Sequence, residues 1–226
     1  MDQLSRSRVR KEKGARDRLI RLALSRPEWA LCFEDETWWS RFERPSSLHS
    51  WADGGQPMRL IEKEAIKGDS DPKALAAYGM LVRTKEADGE VWEQMWLRFV
   101  EGRPVSTITT QFLEYSCQKL AAMGKKEALL MIWDNASWHT RSKEVGCSIA
   151  SHNREVKDSG EGVRIVCCLL PKKSPWLNAI EPKWIHGKRK VIEPEELIGA
   201  DELADRVCGV FGCAHDPHLA IPQEVA

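Results

Sequence analysis

The chain has 226 residues, of which 42% are hydrophobic and 30% are charged, and this is enough for one domain with a substantial core. The composition excludes an intrinsically disordered chain, and no apolar run approaches the roughly 20 residues that cross a bilayer. The formal net charge of zero excludes a uniformly basic or acidic protein. Because the N-terminal segment also lacks the apolar core of a signal peptide, we expect a cytoplasmic protein with no membrane contact.

Basic residues are concentrated in two segments despite the neutral total. Residues 1–27 contain nine lysines and arginines against three acids, and residues 172–190 contain six against one. A run of this kind is ordinarily a solvated face. Two separate basic segments are also compatible with a polyanionic partner.

The spacing of apolar residues predicts alternating elements along most of the chain. In chain order these are a helix at 6–26, strands at 29–33, 59–66, 74–83 and 91–100, a helix at 106–123, a strand at 128–133, a helix at 143–157, a strand at 163–170, and helices at 175–191 and 200–211. Early strands that can pair through hairpins, followed by alternating helices and strands, predict an α/β protein. We expect a mixed sheet with helices on both faces.

Two of the apolar strands are predicted to end in an acid. Asp35 follows the strand at 29–33, and Asp134 follows the strand at 128–133. Side chains at the carboxyl ends of strands converge outside an α/β sheet. A third acid, Glu181, lies inside the predicted helix at 175–191.

Three converging carboxylates would form an oxygen-only site that suits Mg²⁺ or Mn²⁺. Two such ions roughly 4 Å apart can activate an attacking oxygen and stabilise the leaving oxygen of a phosphodiester. Each acid alone is ambiguous. An aspartate after a strand more often caps a turn, and Glu181 could pair with Lys183 or Lys188 on its own helix.

Three sequence blocks resolve part of this ambiguity: FEDETWW at 33–39, LLMIWDNASWH at 129–139 and LLPKKSPWLNAIEPKW at 169–184. They resemble the catalytic blocks of bacterial insertion-sequence transposases of the mariner superfamily. The domain of that family is a DDE superfamily endonuclease with an RNase H-like fold. The resemblance covers about residues 28–213, and the third block is the most specific.

The chain departs from the family pattern in several places. Ala179 stands where the family usually has proline, and Lys173 lies near a position that is usually aromatic. The gap of 46 residues between Asp134 and Glu181 is longer than the corresponding gap in many relatives. The segment before the first catalytic strand is also too short for the N-terminal helix-turn-helix region of the family, so we expect that region to be lacking.

The charge and apolar pattern predict a basic helical N-terminal arm at 1–27, and the resemblance implies an RNase H-like DDE catalytic domain at 28–226. It implies that Asp35, Asp134 and Glu181 hold two Mg²⁺ or Mn²⁺ ions. The reaction would be hydrolysis at transposon ends, followed by attack of a 3′-hydroxyl on target DNA, typically at a TA dinucleotide. The implied partners are double-stranded DNA and a second copy of the chain in a homodimer, at the nucleoid of a bacterium.

Other residues receive supporting roles. We expect Asn135, His139 and Asn178 to orient the acids or the backbone around them. For His139, a purely structural histidine is an equally good interpretation. Candidate phosphate contacts flank the site at Lys172, Lys173, Lys188 and Arg189.

Within the first block, strand alternation sends Glu34 and Glu36 to one face of the sheet and Asp35 to the other, with Phe33. We expect Glu36 to form a salt bridge or to cap the next turn. The seven cysteines are expected to be reduced, buried thiols. Trp38, Trp39, Trp92 and Trp96 are expected to be core or core-edge aromatics rather than base-stacking platforms.

Three alternatives stay open. The chain could be a truncated, non-autonomous remnant that acts only as a DNA- or protein-binding module. It could be an RNase H-like nuclease unrelated to transposition. A separate zinc module is conceivable at Cys208, Cys213, His215 and His218, but that spacing is not a standard one, and a buried thiol is the simpler account of Cys208.

Overall fold

The computed structural model describes residues 3–42, 67–86, 88–100, 104–124, 126–136, 139, 143–191 and 197–220. Its elements are α1 (Gln3–Leu24), β1 (Trp29–Ser40), β2 (Ala74–Lys85), β3 (Val91–Val100), α2 (Ser106–Ala122), β4 (Ala128–Trp133), α3 (Lys143–Ser159), β5 (Arg164–Leu169), a 3₁₀ turn (Pro175–Leu177), α4 (Glu181–Val191) and α5 (Ala200–Phe211). The strand predicted at 59–66 lies outside the described residues.

The five strands form one mixed sheet in the order β3-β2-β1-β4-β5. β2 is antiparallel to both β1 and β3, whereas β4 is parallel to β1 and β5 is parallel to β4. The turn between β2 and β3 contains Gly89, whose φ of 92° is accessible mainly to glycine. The predicted α/β class and mixed sheet are confirmed.

Helices cover both faces of this sheet, as predicted. Leu31 and Phe33 of β1 face a core that includes residues of α1, α4 and α5. Ala30 and Cys32, which alternate with them, face a second core with α2 and α3. β4 is buried along its whole length between these two layers. No helix in the described ranges is long and apolar enough to cross a membrane.

The last turns of α1 are part of the first core. Leu19, Ile20 and Ala23 pack against the sheet, and Arg16 Nη1 donates a hydrogen bond to the carbonyl oxygen of Leu177 at 2.7 Å. The first helix therefore holds the 3₁₀ turn that precedes α4. The division into an arm at 1–27 and a domain at 28–226 stays a prediction.

The first strand is longer than predicted. β1 continues to Ser40 because β2 pairs with it throughout, up to the pair of Ser40 with Ala74. The parallel neighbour β4 pairs only as far as Phe33 with Ile132. Asp35 therefore lies within β1, two residues beyond the last β4 pair, and the prediction that the strand ends before it was wrong.

The prediction of a single helix at 175–191 was also wrong. The segment forms the 3₁₀ turn at 175–177, and α4 then begins at Glu181. Pro182 explains this break, because a proline has no N–H and is tolerated only in the first turn of a helix. Glu181 is thus the first residue of α4 rather than an interior residue.

Candidate active site

Asp35 projects from β1 toward the face that carries α4. The indole Nε1 of Trp184 in α4 donates a hydrogen bond to Asp35 Oδ2 at 3.2 Å. Glu34 and Glu36 contact His139 instead, on the opposite face. The predicted alternation of the three adjacent acids is confirmed.

Gly79 makes the contact between Trp184 and Asp35 possible. It is the β2 residue directly opposite Asp35, and a Cβ atom at this position would lie 2.3 Å from the Trp184 ring. The indole ring can therefore lie against the backbone of β2 and still reach Asp35.

We expect Gly79→Ala to lower the free energy of unfolding by about 1–3 kcal/mol, because the added methyl group displaces the Trp184 ring. The matched control is Gly146→Ala in α3, where nothing lies within 4 Å of the added Cβ. Alanine should be neutral there or stabilise the helix by up to about 1 kcal/mol. Urea unfolding measures both. Equal stability of Gly79→Ala and the wild type would contradict the close packing.

Asp134 lies just after β4. Its Oδ1 accepts a hydrogen bond from the backbone N–H of Ala136 at 2.8 Å and contacts Nδ1 of His139 at 3.1 Å. Burial acts to raise the pKa of Asp134, but the hydrogen bonds from His139 and Ala136 outweigh it and lower the pKa below its usual value. Asp134 is therefore ionised at neutral pH.

Glu181 approaches the other two acids from the first turn of α4. Burial and then the charge of Asp134 raise its pKa. Burial, followed by the charges of Glu181, Glu36 and Asp134, raises the pKa of Asp35 to about 8. The three predicted acids thus lie near enough for their charges to influence one another, and their role as one metal site stays a prediction.

The raised pKa of Asp35 gives the metal-free protein a defined pH dependence. Between the ordinary pKa of 3.8 and about 8, the folded state holds a proton that the unfolded state has lost, so stability falls as pH rises through this window. We expect Asp35→Asn to melt several degrees higher than the wild type near the top of the window and to approach it near the bottom. Melting temperatures of both proteins, measured in a chelator across this pH window, test the expectation. A difference in melting temperature that stays constant with pH would contradict it.

Asn135 and Asn178 bind backbone atoms next to the acids. Asn135 Nδ2 donates to the carbonyl oxygen of Leu170 at 2.5 Å, which joins the loop after β4 to the loop after β5. Asn178 Nδ2 donates to the carbonyl oxygen of Glu34 at 2.9 Å, which joins the turn before α4 to β1. Both side chains therefore hold in place the backbone that carries the acids.

His139 is buried and contacts three carboxylates. Besides Asp134, its Nε2 lies 3.0 Å from Glu36 Oε1 and 3.5 Å from Glu34 Oε2, and its ring stacks on Trp133 with centroids 4.5 Å apart. Burial acts to lower the pKa of His139, but the charge of Glu34 and the hydrogen bonds to Asp134 and Glu36 raise it to about 11. Glu36 thus forms the ion pair that was one of its two predicted roles.

Glu34 was not predicted to have a role. It is only 1% exposed, and burial followed by the charge of Glu36 raises its pKa well above the usual value. Alternation places Glu34 on the same face as the buried Cys32, and this was the available signal in the sequence.

The four predicted phosphate contacts fall into two places. Lys172 and Lys173 are exposed and border a cleft of about 440 Å³ that Asp134 and Asn135 also line. Lys188 and Arg189 lie about 10 Å or more farther along the axis of α4 from Glu181, at 1.5 Å per residue. The Nζ atom of Lys188 lies 5.8 Å from the centre of the Trp39 ring.

The tryptophans are only partly core residues. Trp39 and Trp96 are buried as predicted, but Trp38 is 42% exposed and Trp92 is 37% exposed. Trp176, in the 3₁₀ turn before Glu181, is 69% exposed, and sequence reasoning did not single it out.

The conceivable zinc module at the C-terminal end does not assemble. Cys208 is buried in the first core, as its simpler interpretation predicted, and His215 pairs with Asp205. Within the described ranges, the one group of three candidate metal ligands whose donor atoms lie within 4.8 Å of one another is Glu34, Glu36 and His139.

Part of the chain matches the model of a known protein family. Residues 93–204 match the family model of the DDE superfamily endonuclease. This stretch is just under half of the chain; it includes Asp134 and Glu181 and begins after Asp35. The predicted resemblance to a DDE superfamily endonuclease is therefore confirmed over this stretch. Comparison with curated proteins gives no significant match.

Three solved structures of a transposase are similar to the chain. The Mos1 mariner paired-end complex with Mn matches with a TM-score of 0.59 and 14% identity over 94% of this chain and 56% of that one. The Mos1 strand transfer complex has a TM-score of 0.55 at 12% identity, over 95% of this chain and 56% of that one. The Mos1 paired-end complex with the left transposon end has a TM-score of 0.53 at 14% identity, over 96% of this chain and 57% of that one.

At this level of identity the likeness establishes the fold. With the sheet order and the two helix layers, it confirms the predicted RNase H-like fold. The chain spans little more than half the length of these Mos1 chains.

Proposed function

We propose that this chain is the catalytic domain of a DNA transposase, from a bacterial insertion sequence of the mariner superfamily. The observation that carries the proposal is that Asp35, Asp134 and Glu181 come from three separate elements of an RNase H-like fold and lie near enough to influence one another's charge. The DDE endonuclease match over two of these acids and the likeness to Mos1 complexes support it. The protein would work in the cytoplasm as a homodimer on transposon ends and target DNA.

The three acids fit a hard divalent cation. The donors are carboxylate oxygens alone, which are the ligands that Mg²⁺ and Mn²⁺ prefer. Burial and, after it, the neighbouring negative charges raise the pKa values of Asp35 and Glu181, and cations would offset those charges. Asp35, Asp134 and Glu181 would hold two such ions. When bound, the ions supply Lewis-acid activation of a phosphodiester.

The surrounding residues keep the acids in position. Trp184 restrains Asp35, whereas the Ala136 N–H and His139 restrain Asp134. Arg16 contributes at a distance, because its bond to Leu177 fixes the turn that leads into Glu181. Catalytic groups must be held to within a fraction of an ångström, and these contacts would provide that rigidity.

DNA would approach across the cleft beside Asp134. Lys172 and Lys173 offer phosphate contacts there, and the exposed ring of Trp176 offers a surface on which a base can stack. The solvent-facing side of α1 adds basic residues at Arg10 and Lys11.

We expect the isolated chain to bind duplex DNA weakly, with little sequence preference and a steep salt dependence, because the proposed contacts are to phosphates. Replacing both Lys172 and Lys173 by alanine should reduce the slope of log K against log salt by about 2. The matched control is the exposed Lys157→Ala on α3. Fluorescence anisotropy at several salt concentrations measures both. Tight, salt-insensitive binding to one particular duplex would contradict this account.

Strand transfer distinguishes a transposase from the two remaining alternatives. The chain is mixed with a duplex that carries the repeats flanking its gene, ending in a free 3′-hydroxyl, and with a target plasmid in Mn²⁺. We expect covalent joining of the duplex to the plasmid. Nicking without joining would favour an RNase H-like nuclease unrelated to transposition. Binding without either reaction would favour a non-autonomous remnant.

A further inference from the structure

A second cluster of candidate metal ligands lies on the face of β1 opposite Asp35. Glu34 and Glu36 project from this face, and His139 meets them from the segment after β4. One donor atom from each residue lies within 4.8 Å of the others, and all three side chains are almost completely buried. The cluster contains an imidazole nitrogen, which the group of Asp35, Asp134 and Glu181 lacks.

Glu34 lacks hydrogen-bond donors in this cluster. Both of its carboxylate oxygens are buried, and neither accepts a hydrogen bond. Nε2 of His139 can carry one hydrogen, and its shorter contact is to Glu36, at 3.0 Å against 3.5 Å for Glu34. A buried carboxylate that accepts no hydrogen bond is strongly unfavourable, so the cluster fits an additional cation.

We propose that Glu34, Glu36 and His139 bind a divalent cation of the zinc class, at a site separate from Asp35 and Glu181. One imidazole nitrogen and two carboxylates are ligands that zinc accepts. Bonds of about 2.0–2.1 Å place neighbouring donors of a tetrahedral site about 3.3 Å apart. The observed separations of 3.0 Å and 3.5 Å from Nε2 bracket that value.

The remaining nitrogen of His139 suits this role. With Nε2 on the cation, Nδ1–H donates to Asp134, which lies 3.1 Å away. A histidine ligand that donates its other N–H to a carboxylate is the usual arrangement around protein-bound metals. The cation would therefore fix the segment after β4 against β1.

Zinc binding to the full chain tests the proposal after dialysis against a chelator. Calorimetric titration with Zn²⁺ is compared for the wild type and for the double variant Asp35→Asn, Glu181→Gln, which removes the carboxylates of the other site. We expect one zinc site in both proteins and an imidazole nitrogen in its X-ray absorption spectrum. Glu34→Gln and His139→Gln should each weaken binding on the order of 100-fold or more. The exposed Glu161→Gln is the matched control.

Thermal unfolding checks that the variants fold. Without metal, Glu34→Gln should melt higher than the wild type, since burial disfavours the ionised form of Glu34, whose oxygens accept no hydrogen bond, and glutamine carries no charge. Saturating Zn²⁺ should raise the melting temperature of the wild type by about 5 °C or more and leave that of Glu34→Gln unchanged.

Equal zinc binding by the wild type and Glu34→Gln, or none by the wild type, would overturn the proposal. Loss of zinc binding in the Asp35→Asn, Glu181→Gln double variant alone would instead place the ion among Asp35, Asp134 and Glu181. Neither result depends on DNA cleavage, so the proposal and the transposase function can fail separately.

Discussion

Asp35→Asn, Asp134→Asn and Glu181→Gln are each expected to lower the rate of DNA strand cleavage on the order of 10³-fold or more. Each change keeps the shape of the side chain and removes one negatively charged metal ligand. Because the three acids act as one unit, a double variant should cleave DNA at a rate only slightly lower than that of a single variant. Nicking of supercoiled plasmid in Mn²⁺ measures the rates.

Two controls accompany these variants. Asp158→Asn and Glu161→Gln make the same chemical changes at exposed positions outside the site, and we expect wild-type rates from both. Circular dichroism checks that all the variants are folded. Rates within a few-fold of wild type for all three site variants would contradict the assignment.

Glu36→Gln separates the adjacent acids of the first block. Glutamine keeps an oxygen that can accept the hydrogen bond from His139, so we expect most of the cleavage activity to remain. The opposite pattern would contradict this assignment. If Glu36→Gln lost cleavage activity while Asp35→Asn still cut DNA, Glu36 would be the essential acid.

Removal of divalent metal is expected to abolish cleavage completely. Mg²⁺ or Mn²⁺ should restore it, whereas Ca²⁺ or Zn²⁺ should not. The physical reason is the all-carboxylate donor set, combined with the octahedral geometry that in-line displacement requires and Ca²⁺ relaxes. The measurement is plasmid nicking after dialysis against a chelator, with each ion added back singly. Full activity in the chelator, or equal activity with Ca²⁺, would contradict the proposed chemistry.

Local patterns were sufficient for the centre of the fold. The six apolar residues at 128–133 predicted β4 with its correct bounds, because a fully buried parallel strand needs no alternation. The strand at 91–100 was equally clear, since the Asp88-Gly89 turn marks where it can begin. These elements, with the motif around Asp134, placed one of the three acids correctly.

The features of the structure that were not predicted from the sequence depend on contacts between residues far apart in the chain. β1 extends past Asp35 because a distant strand, β2, continues to pair with it. The surroundings of Asp35 depend on Gly79 and Trp184, which no local pattern connects with it. Glu36 and His139 are 103 residues apart in sequence, so their contact and the burial of Glu34 beside them were not readable from alternation alone. The break before Glu181 was readable, because Pro182 excludes an interior helical position.

An anomalous difference map from crystals of the chain soaked in Mn²⁺ tests the central claim most directly, because it locates the ions themselves. The account predicts anomalous peaks coordinated by Asp35, Asp134 and Glu181 together. An empty space among these three acids, with Mn²⁺ bound only elsewhere on the chain, would contradict it.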